Sequence, residues 1–283
     1  MTMDWDSTEI ISILDRALEE DIGSGDITSN SLLERSPVLS AVFVAKQSGL
    51  LAGLPLVSRI FRLLDRRCKI EAYISDGKSL TRGMKICGLT GRASSLLAGE
   101  RLALNFLQRL SGIATQTASY VRQARPYGIA VMDTRKTTPL LRKLEKYAVK
   151  IGGGVNHRYG LYDAILVKDN HLRLQPDFKR ILRAFEDKGF SPDRVEIEVT
   201  SAKMLKEAIR AGARWLLLDN MTPAVIRKCI LLKQPNMYFE VSGGITAANF
   251  SSYLIQGVDA ISIGALTHSV RSLDISMEME TKG

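Results

Sequence analysis

Arg194-Val-Glu-Ile-Glu-Val-Thr200, Ser201–Arg210 and Trp215-Leu-Leu-Leu-Asp219 follow one another, and together they decide the fold. The first is a short apolar run leading to Glu198. The second is apolar at helical spacing. The third is again an apolar run, and it stops at Asp219. Strand, helix and strand in that order imply a parallel sheet.

The pattern repeats on both sides of this unit. Ile129-Ala-Val-Met precedes Asp133, and Ala164-Ile-Leu-Val precedes Lys168. Tyr238-Phe-Glu-Val leads to Ser242, and Ala260-Ile-Ser-Ile leads to Gly264. Thr222–Leu232 reads as another helix. Six such strands suit an open or closed α/β barrel, with an open doubly wound sheet as the alternative; either places functional groups at the C-terminal strand ends. Here those ends carry Asp133-Thr-Arg135-Lys136, Lys168-Asp169, Glu198, Asp219, Ser242-Gly243-Gly244 and Gly264. Packing alone gives a buried strand no reason to end in Lys, Glu or Asp.

Upstream the pattern is mixed. Asp6, with Glu9 three residues on, is expected to cap a first helix through about Leu18. Asp26-Ile-Thr-Ser opens a second. Ala41–Ala45, Ile70–Ile74 and Met84–Leu89 read as strands. Leu54–Leu64 and Leu96–Leu110 read as amphipathic helices. The expected division is an N-terminal domain at 1–111, a barrel at 112–271 and a tail at 272–283 returning to the first domain.

Composition fits a folded, non-membrane chain: 45% hydrophobic and 24% charged over 283 residues. No apolar run approaches the roughly 18–20 residues that span a bilayer. The acidic start, Met1-Thr-Met-Asp-Trp-Asp, does not read as a signal peptide, so a cytoplasmic setting is expected. Cys68, Cys87 and Cys229 are far apart and match no metal spacing. Nor do His157, His171 and His268 make a zinc pattern, so they are read as hydrogen-bonding groups towards ligand or phosphate.

The net charge is +9, and more than half of it falls between Asp133 and Arg173, where nine basic residues face four acidic ones. Those basic residues alternate with glycine, histidine and apolar residues, which suggests a pocket for an anion rather than a basic tail. Gly152-Gly-Gly-Val-Asn-His-Arg158 offers backbone freedom and a guanidinium suited to a carboxylate. Its amides are expected to cradle an anion. Ser242-Gly-Gly-Ile245 and Gly264-Ala-Leu-Thr-His268 read as paired phosphate loops. Arg135, Lys136, Arg158 and Lys168 suit a polyanion. Glu198 and Asp219 beside them suit ribose hydroxyls or a hydrated magnesium ion. The combination points to a phosphoribosyl donor.

Three of these stretches, Asp133-Thr-Arg-Lys-Thr-Thr-Pro139, Gly152–Arg158 and Lys168-Asp-Asn-His171, resemble the core of a known family. It is nicotinate-nucleotide pyrophosphorylase, also called quinolinate phosphoribosyltransferase (decarboxylating). Glu20–Thr28, Glu100-Arg-Leu-Ala-Leu-Asn105, Ser111–Thr115, Leu218-Asp-Asn220 and both late glycine loops match in the same order. The resemblance implies an N-terminal α/β sandwich domain and a C-terminal open α/β barrel of about six parallel strands. It implies a pentosyltransferase of NAD biosynthesis that makes nicotinate mononucleotide, pyrophosphate and CO2. It also implies a homodimer in which Arg101 reaches across from the partner subunit. Quinolinate would then be held by Arg101, Arg135, His157, Arg158 and Lys168. Lys136, Glu198, Asp219, Ser242, Gly243, Gly244, Gly264 and His268 would hold phosphoribosyl pyrophosphate, with Mg2+ near Glu198 and Asp219. The catalytic set so implied is Lys136, Lys168, Glu198 and Asp219.

Two positions depart from the family pattern: Leu140, where glycine is frequent, and Thr200, where many members have Asp-Ser. A molybdenum-transport-associated paralogue is the near alternative, but it lacks the Lys-Asp-Asn-His form. Nucleic-acid binding is the distant one, and the chain is only 6% aromatic.

Overall fold

The computed structural model describes residues 3–33 and 36–280. Expectations that touch residues 1, 2, 34, 35 and 281–283, including the end of the tail, lie outside the described residues. The chain forms two compact units. The first comprises Met1–Gln116, Lys150–Gly152 and Val270–Gly283; the second comprises Thr117–Val149 and Gly153–Ser269. The sequence reading put the boundary after residue 111, whereas the units divide after Gln116, inside a single helix.

In the first unit, α1 (Thr8–Ile22) buries Ile10, Leu14 and Leu18 at four-residue spacing. It starts after Ser7, not Asp6, because the Asp6 carboxylate instead takes Arg59 Nη2 at 2.5 Å. It also runs past Leu18 to Ile22, where Gly23 at φ 51° ends it. α2 (Ile27–Leu32) is capped by Asp26, which accepts from the Ser29 amide at 3.0 Å. β1 (Val38–Ala45) and the short β2 (Gly49–Leu50) follow. The N–H groups of Gly53 and Leu54 opening α3 (Leu54–Leu64) both bond the Asp76 carboxylate, at 2.7 and 3.0 Å. β3 (Lys69–Ala72), β4 (Ser79–Leu80) and β5 (Lys85–Arg92) lead into α4 (Ala93–Ala124). That helix is much longer than the expected Leu96–Leu110 segment, because it carries the chain from one unit into the next.

In the second unit, β6 (Ala130–Met132), α5 (Arg142–Ile151), β7 (Ile165–Val167), α6 (Asp169–Leu174) and α7 (Phe178–Glu186) come first. Then follow β8 (Val195–Val199), α8 (Ala202–Ala211), β9 (Trp215–Asp219), α9 (Pro223–Ile230) and β10 (Tyr238–Ser242). β11 (Ala260–Ser262) and the single turn α10 (Ala265–His268) complete it. The six strands form one parallel sheet in the order β6-β11-β10-β9-β8-β7. β6 and β7 are consecutive in this unit yet lie at opposite edges, which is the order of an open barrel. Val155 continues past β6 through a parallel bridge to Met132.

β12 (Ile275–Glu280) returns to the first unit and pairs antiparallel with β1, giving a sheet ordered β12-β1-β5-β3. Phe43 of β1 meets Phe61 of α3 edge-on, with ring centres 6.4 Å apart. The return is held by α4: the Leu273 amide bonds Gln108 O at 2.9 Å, and Gln108 Nε2 bonds Ile275 O at 2.7 Å. Gly112, one turn on, lets the backbone of Arg271 approach so closely that a Cβ there would lie 2.3 Å from Arg271 O. Gly112→Ala is therefore expected to destabilise the first unit by about 1–3 kcal/mol, as overpacking against backbone does. Urea unfolding of the two proteins measures it; an unchanged midpoint would contradict the close approach.

Candidate active site at the strand ends

Strand register sorts the barrel's two faces. Glu196 pairs with Trp215 and Trp215 with Tyr238; Glu198 pairs with Leu217 and Leu217 with Glu240. Asp219 pairs with Ser242. These residues share one face, because side chains alternate along a strand. Ile197, Val199, Leu216, Leu218, Phe239, Val241 and Ile261 lie on the other, apolar face, and all are buried. Glu196 and Glu240 stand two strands apart, yet both approach His157, with Nε2 distances of 2.9 and 3.7 Å. The sheet is therefore concave on this face, and His157 sits over the hollow.

What brings His157 there is a buried ion pair. Asp133 follows β6, Lys146 lies on α5, and both side chains are fully buried. The Lys146 ammonium contacts the Asp133 carboxylate and donates to His157 O at 2.8 Å. Asp133 also accepts from the His157 amide at 2.9 Å and from Asn156 Nδ2 at 2.6 Å. Lys146 stands 5.1 Å above the Tyr159 ring. Burial pushes the Asp133 carboxyl up and the Lys146 ammonium down, and the contact between them works against both shifts.

The remaining charged groups lie along the strand ends. Arg158 is buried and bonds Ala164 O through Nη1 at 3.1 Å. Burial lowers its pKa first, and the neighbouring Arg135 cation lowers it further. Glu198 and Asp219 are each raised by burial, and Glu198 is raised further by the Asp219 charge. Lys168 acts on both from one side, and Lys136 acts on Asp219. Arg135 and Arg158 form one coupled pair, Lys136, Lys168, Glu198 and Asp219 a second group, and Glu196, which feels Arg158, Glu198 and Lys168, connects the two.

Both late glycine loops follow strands, but only Gly264 opens a helical turn; after Ser242-Gly-Gly the next helical element is a 3-10 turn at Phe250–Tyr253. Gly243 at φ 96° presses on Asn220, where a Cβ would lie 2.7 Å from the backbone nitrogen; Gly244 at φ 63° has open space beside it. The Asn220 amide bonds Ser242 O at 2.9 Å, tying the ends of β9 and β10. Thr267 Oγ1 donates to Lys136 O at 2.8 Å, so the Gly264–His268 loop anchors the residue that carries one of the cations.

Two readings change. Four amides of the Gly152–Arg158 segment are taken up inside the protein and not offered to an anion: Gly154 bonds Val149 O, Val155 bonds Val131 O, His157 bonds Asp133 and Arg158 bonds the His157 ring. They knit the segment to β6 and α5 instead. His157 offers no free ring nitrogen, since Nδ1 accepts from the Arg158 amide at 2.8 Å and Nε2 faces Glu196. Arg101 is exposed on α4 in the first unit, while every other candidate belongs to the second. Lys146, Asn156, Glu196 and Glu240 were not singled out from the sequence. A charge in the middle of an apolar strand, as in Val-Glu-Ile-Glu and Tyr-Phe-Glu-Val, is the signal for the two glutamates.

The His157 Nε2 and carboxylate oxygens of Glu196 and Glu240 lie within 4.8 Å of one another, a spacing that suits a metal ion. The tautomer argues against that use. A backbone N–H only donates, so Nδ1 is the acceptor and the ring proton sits on Nε2, leaving no lone pair towards the glutamates. Burial accordingly pushes Glu196 up to about 8 and Glu240 to about 7, and both hold a proton at lower pH.

Comparison with known proteins agrees with this architecture. The family model "Quinolinate phosphoribosyl transferase, C-terminal domain" matches residues 113–278, and the N-terminal domain model matches 26–111. A Bacillus subtilis protein named probable nicotinate-nucleotide pyrophosphorylase (carboxylating) is 42% identical, over 96% of this chain and 93% of its own length. A Methanocaldococcus jannaschii protein of the same name is 38% identical, over 95% and 96%. The crystal structure of NadC from Streptococcus pyogenes has a TM-score of 0.91 at 40% identity, covering 99% of both chains.

Two outcomes follow from the buried charges. Lys146→Met leaves Asp133 buried without its cation and is expected to cost about 3–5 kcal/mol, whereas a surface change such as Lys150→Met stays within about 0.5 kcal/mol. Denaturant midpoints for the two variants measure the contrast, and equal midpoints would contradict it. The second outcome concerns pH. Glu196 takes its proton at about 8 when folded, against 4.5 for an ordinary glutamate. Its contribution to stability is full below the lower value and is lost as pH rises towards the higher one. Glu196→Gln, which cannot ionise, should flatten the fall in melting temperature between about pH 5 and pH 8; an unaltered slope counts against the buried proton.

Proposed function

The chain belongs to the quinolinate phosphoribosyltransferase family, and from that premise we propose that its strand-end site joins quinolinate to phosphoribosyl pyrophosphate. The carrying observation is the pair Arg135 and Arg158. Two guanidiniums are set close enough for one to depress the other, with the Nε of each buried and bonded to no protein group among the described residues. Holding like charges together costs free energy, which an anion with two carboxylates offsets. Lys168 completes the cationic side. His157 supports Arg158 from behind instead of touching the acid.

The chemistry asks little of a base, because the pyridine nitrogen already carries its lone pair. That pair forms a bond to the ribose anomeric carbon as the carbon–oxygen bond to pyrophosphate breaks and its electrons leave with the oxygen. Positioning and electrostatics lower the barrier. Glu198 and Asp219 suit the ribose hydroxyls and the positive charge that develops on the sugar. Lys136 and the Ser242–Gly244 and Gly264–His268 loops suit the phosphate groups. The two carboxylates also fit a hydrated magnesium ion, since the Asp219 charge raises Glu198, which a cation would relieve, and both offer the oxygen donors such an ion prefers. Magnesium, when bound, would neutralise pyrophosphate charge. The carboxylate beside the ring nitrogen then leaves as CO2. Its electron pair stays on the ring carbon, stabilised by the adjacent cationic nitrogen, until a proton from solvent replaces it.

The exposed position of Arg101 suits a role across a homodimer interface, completing the partner's pocket. The proposed setting is the cytoplasm. No helix among the described residues is long and apolar enough to cross a membrane.

The test mixes protein, quinolinate, phosphoribosyl pyrophosphate and magnesium, and measures CO2 and nicotinate mononucleotide. Both products are expected in equal amounts. Consumption of nicotinate in place of quinolinate, without CO2, would contradict the proposal. Arg135→Ala should lose about 10²–10³ in turnover, by analogy with one preorganised donor, while circular dichroism stays that of the folded chain.

A further inference from the structure

We propose that Glu196 is a positioning residue: from inside the barrel it clamps the His157 ring, and through that ring it fixes the backbone of Arg158. This rests on the reading of Arg158 as a carboxylate-binding group. The geometry is a relay of two contacts. Glu196 Oε2 lies 2.9 Å from His157 Nε2, and His157 Nδ1 lies 2.8 Å from the Arg158 amide nitrogen. The ring is almost fully enclosed, with 9% of its side chain exposed, and Trp215 flanks it at 6.4 Å between ring centres.

Each neighbour constrains a different part of the same dipeptide. Asp133 and Lys146 take the His157 amide and carbonyl. Glu196 takes the ring, with Glu240 behind it at 3.7 Å. The ring in turn takes the Arg158 amide, and Ala164 O takes the Arg158 guanidinium at Nη1. Arg158 therefore leaves a fixed backbone at one end and meets a fixed anchor at the other. Without an acceptor at residue 196 the imidazole loses the contact that sets its rotation, and the Arg158 amide loses its acceptor with it. The consequence falls on the grip on quinolinate, not on the phosphoribosyl donor.

Two measurements test it. The first reads the imidazole directly. The chain has three histidines, so long-range 1H–15N spectra of labelled protein resolve each ring, with His157→Gln supplying the assignment. His157 should appear as the neutral tautomer protonated at Nε2. A proton on Nδ1, or one-to-one zinc binding that shifts these signals when zinc chloride is added, would overturn the clamp in favour of a metal site. The second is kinetic. Glu196→Ala should raise KM for quinolinate about tenfold or more, the cost of leaving one buried hydrogen-bond donor unpaired. KM for phosphoribosyl pyrophosphate should stay within about twofold, a split that general loss of structure does not produce. Glu196→Gln, which keeps an acceptor oxygen, should restore the quinolinate KM to within about threefold. Equal rises in both KM values, or no rescue by glutamine, would overturn it. Should the alanine variant not fold, the wild-type tautomer and the glutamine variant still decide. A wild-type protein that makes no nicotinate mononucleotide would instead sink the proposed activity and leave the tautomer result standing.

Discussion

The buried pair of Asp133 and Lys146 is the constraint on which the site depends. Asp133 stands where β6 ends, and Lys146 stands on the helix that follows. Between them they bind both backbone groups of His157. A charge pair taken wholly out of water is rarely a net source of stability, because desolvation costs about as much as attraction returns. Its value lies in position. A carboxylate with three donors around it tolerates little displacement, so the segment carrying His157 and Arg158 has one place to go. The rest of the cationic side then faces a fixed guanidinium.

The interior of the barrel follows the same logic. Small residues on β6 and β11, Ala130 and Ala260, face the hollow in register with Glu240 of β10. Leu217 lies between Glu198 and Glu240 on neighbouring strands. Into this space project Glu196, Glu198 and Glu240, all buried and the first and last most deeply, with Asp219 half-buried at the end of β9. Depth decides what each carboxyl does. The deep pair is desolvated enough to keep protons well above the ordinary glutamate range. Glu198 and Asp219, at the ends of their strands, are less buried, and lysines there work against the rise that burial causes. One face of one sheet thus offers neutral support where burial is deepest and charged groups where it is less.

Much of this is legible in the sequence, and the limits have physical causes. Short apolar runs that end in charge mark the strand ends, since burial forbids those charges anywhere but at a rim or against a partner. That reasoning located Arg135, Lys136, Lys168, Glu198 and Asp219. It passed over Lys146 because a lysine on an amphipathic helix ordinarily points to water, and only the fold shows that this one points inward. It passed over Glu240 because a single charge inside Tyr-Phe-Glu-Val looks like an outward-facing residue until the register is known. The same blindness led to the glycine segment being read as an anion cradle, when its amides bond β6 and α5. Leu140 is a further case: it sits at φ 68°, a left-handed conformation that costs a side-chain-bearing residue about 1–2 kcal/mol, which explains why glycine suits that position.

The central claim is that the strand-end cations are preorganised for a ring with two adjacent carboxylates. Calorimetric titration of the folded protein with quinolinate and, separately, with nicotinate tests it most directly, since nicotinate lacks the carboxylate beside the nitrogen. The account predicts that quinolinate binds at least about tenfold more tightly, the worth of one charge-assisted contact, and that raising the salt concentration narrows the gap. Equal affinities for the two acids, or tighter binding of nicotinate, would contradict it.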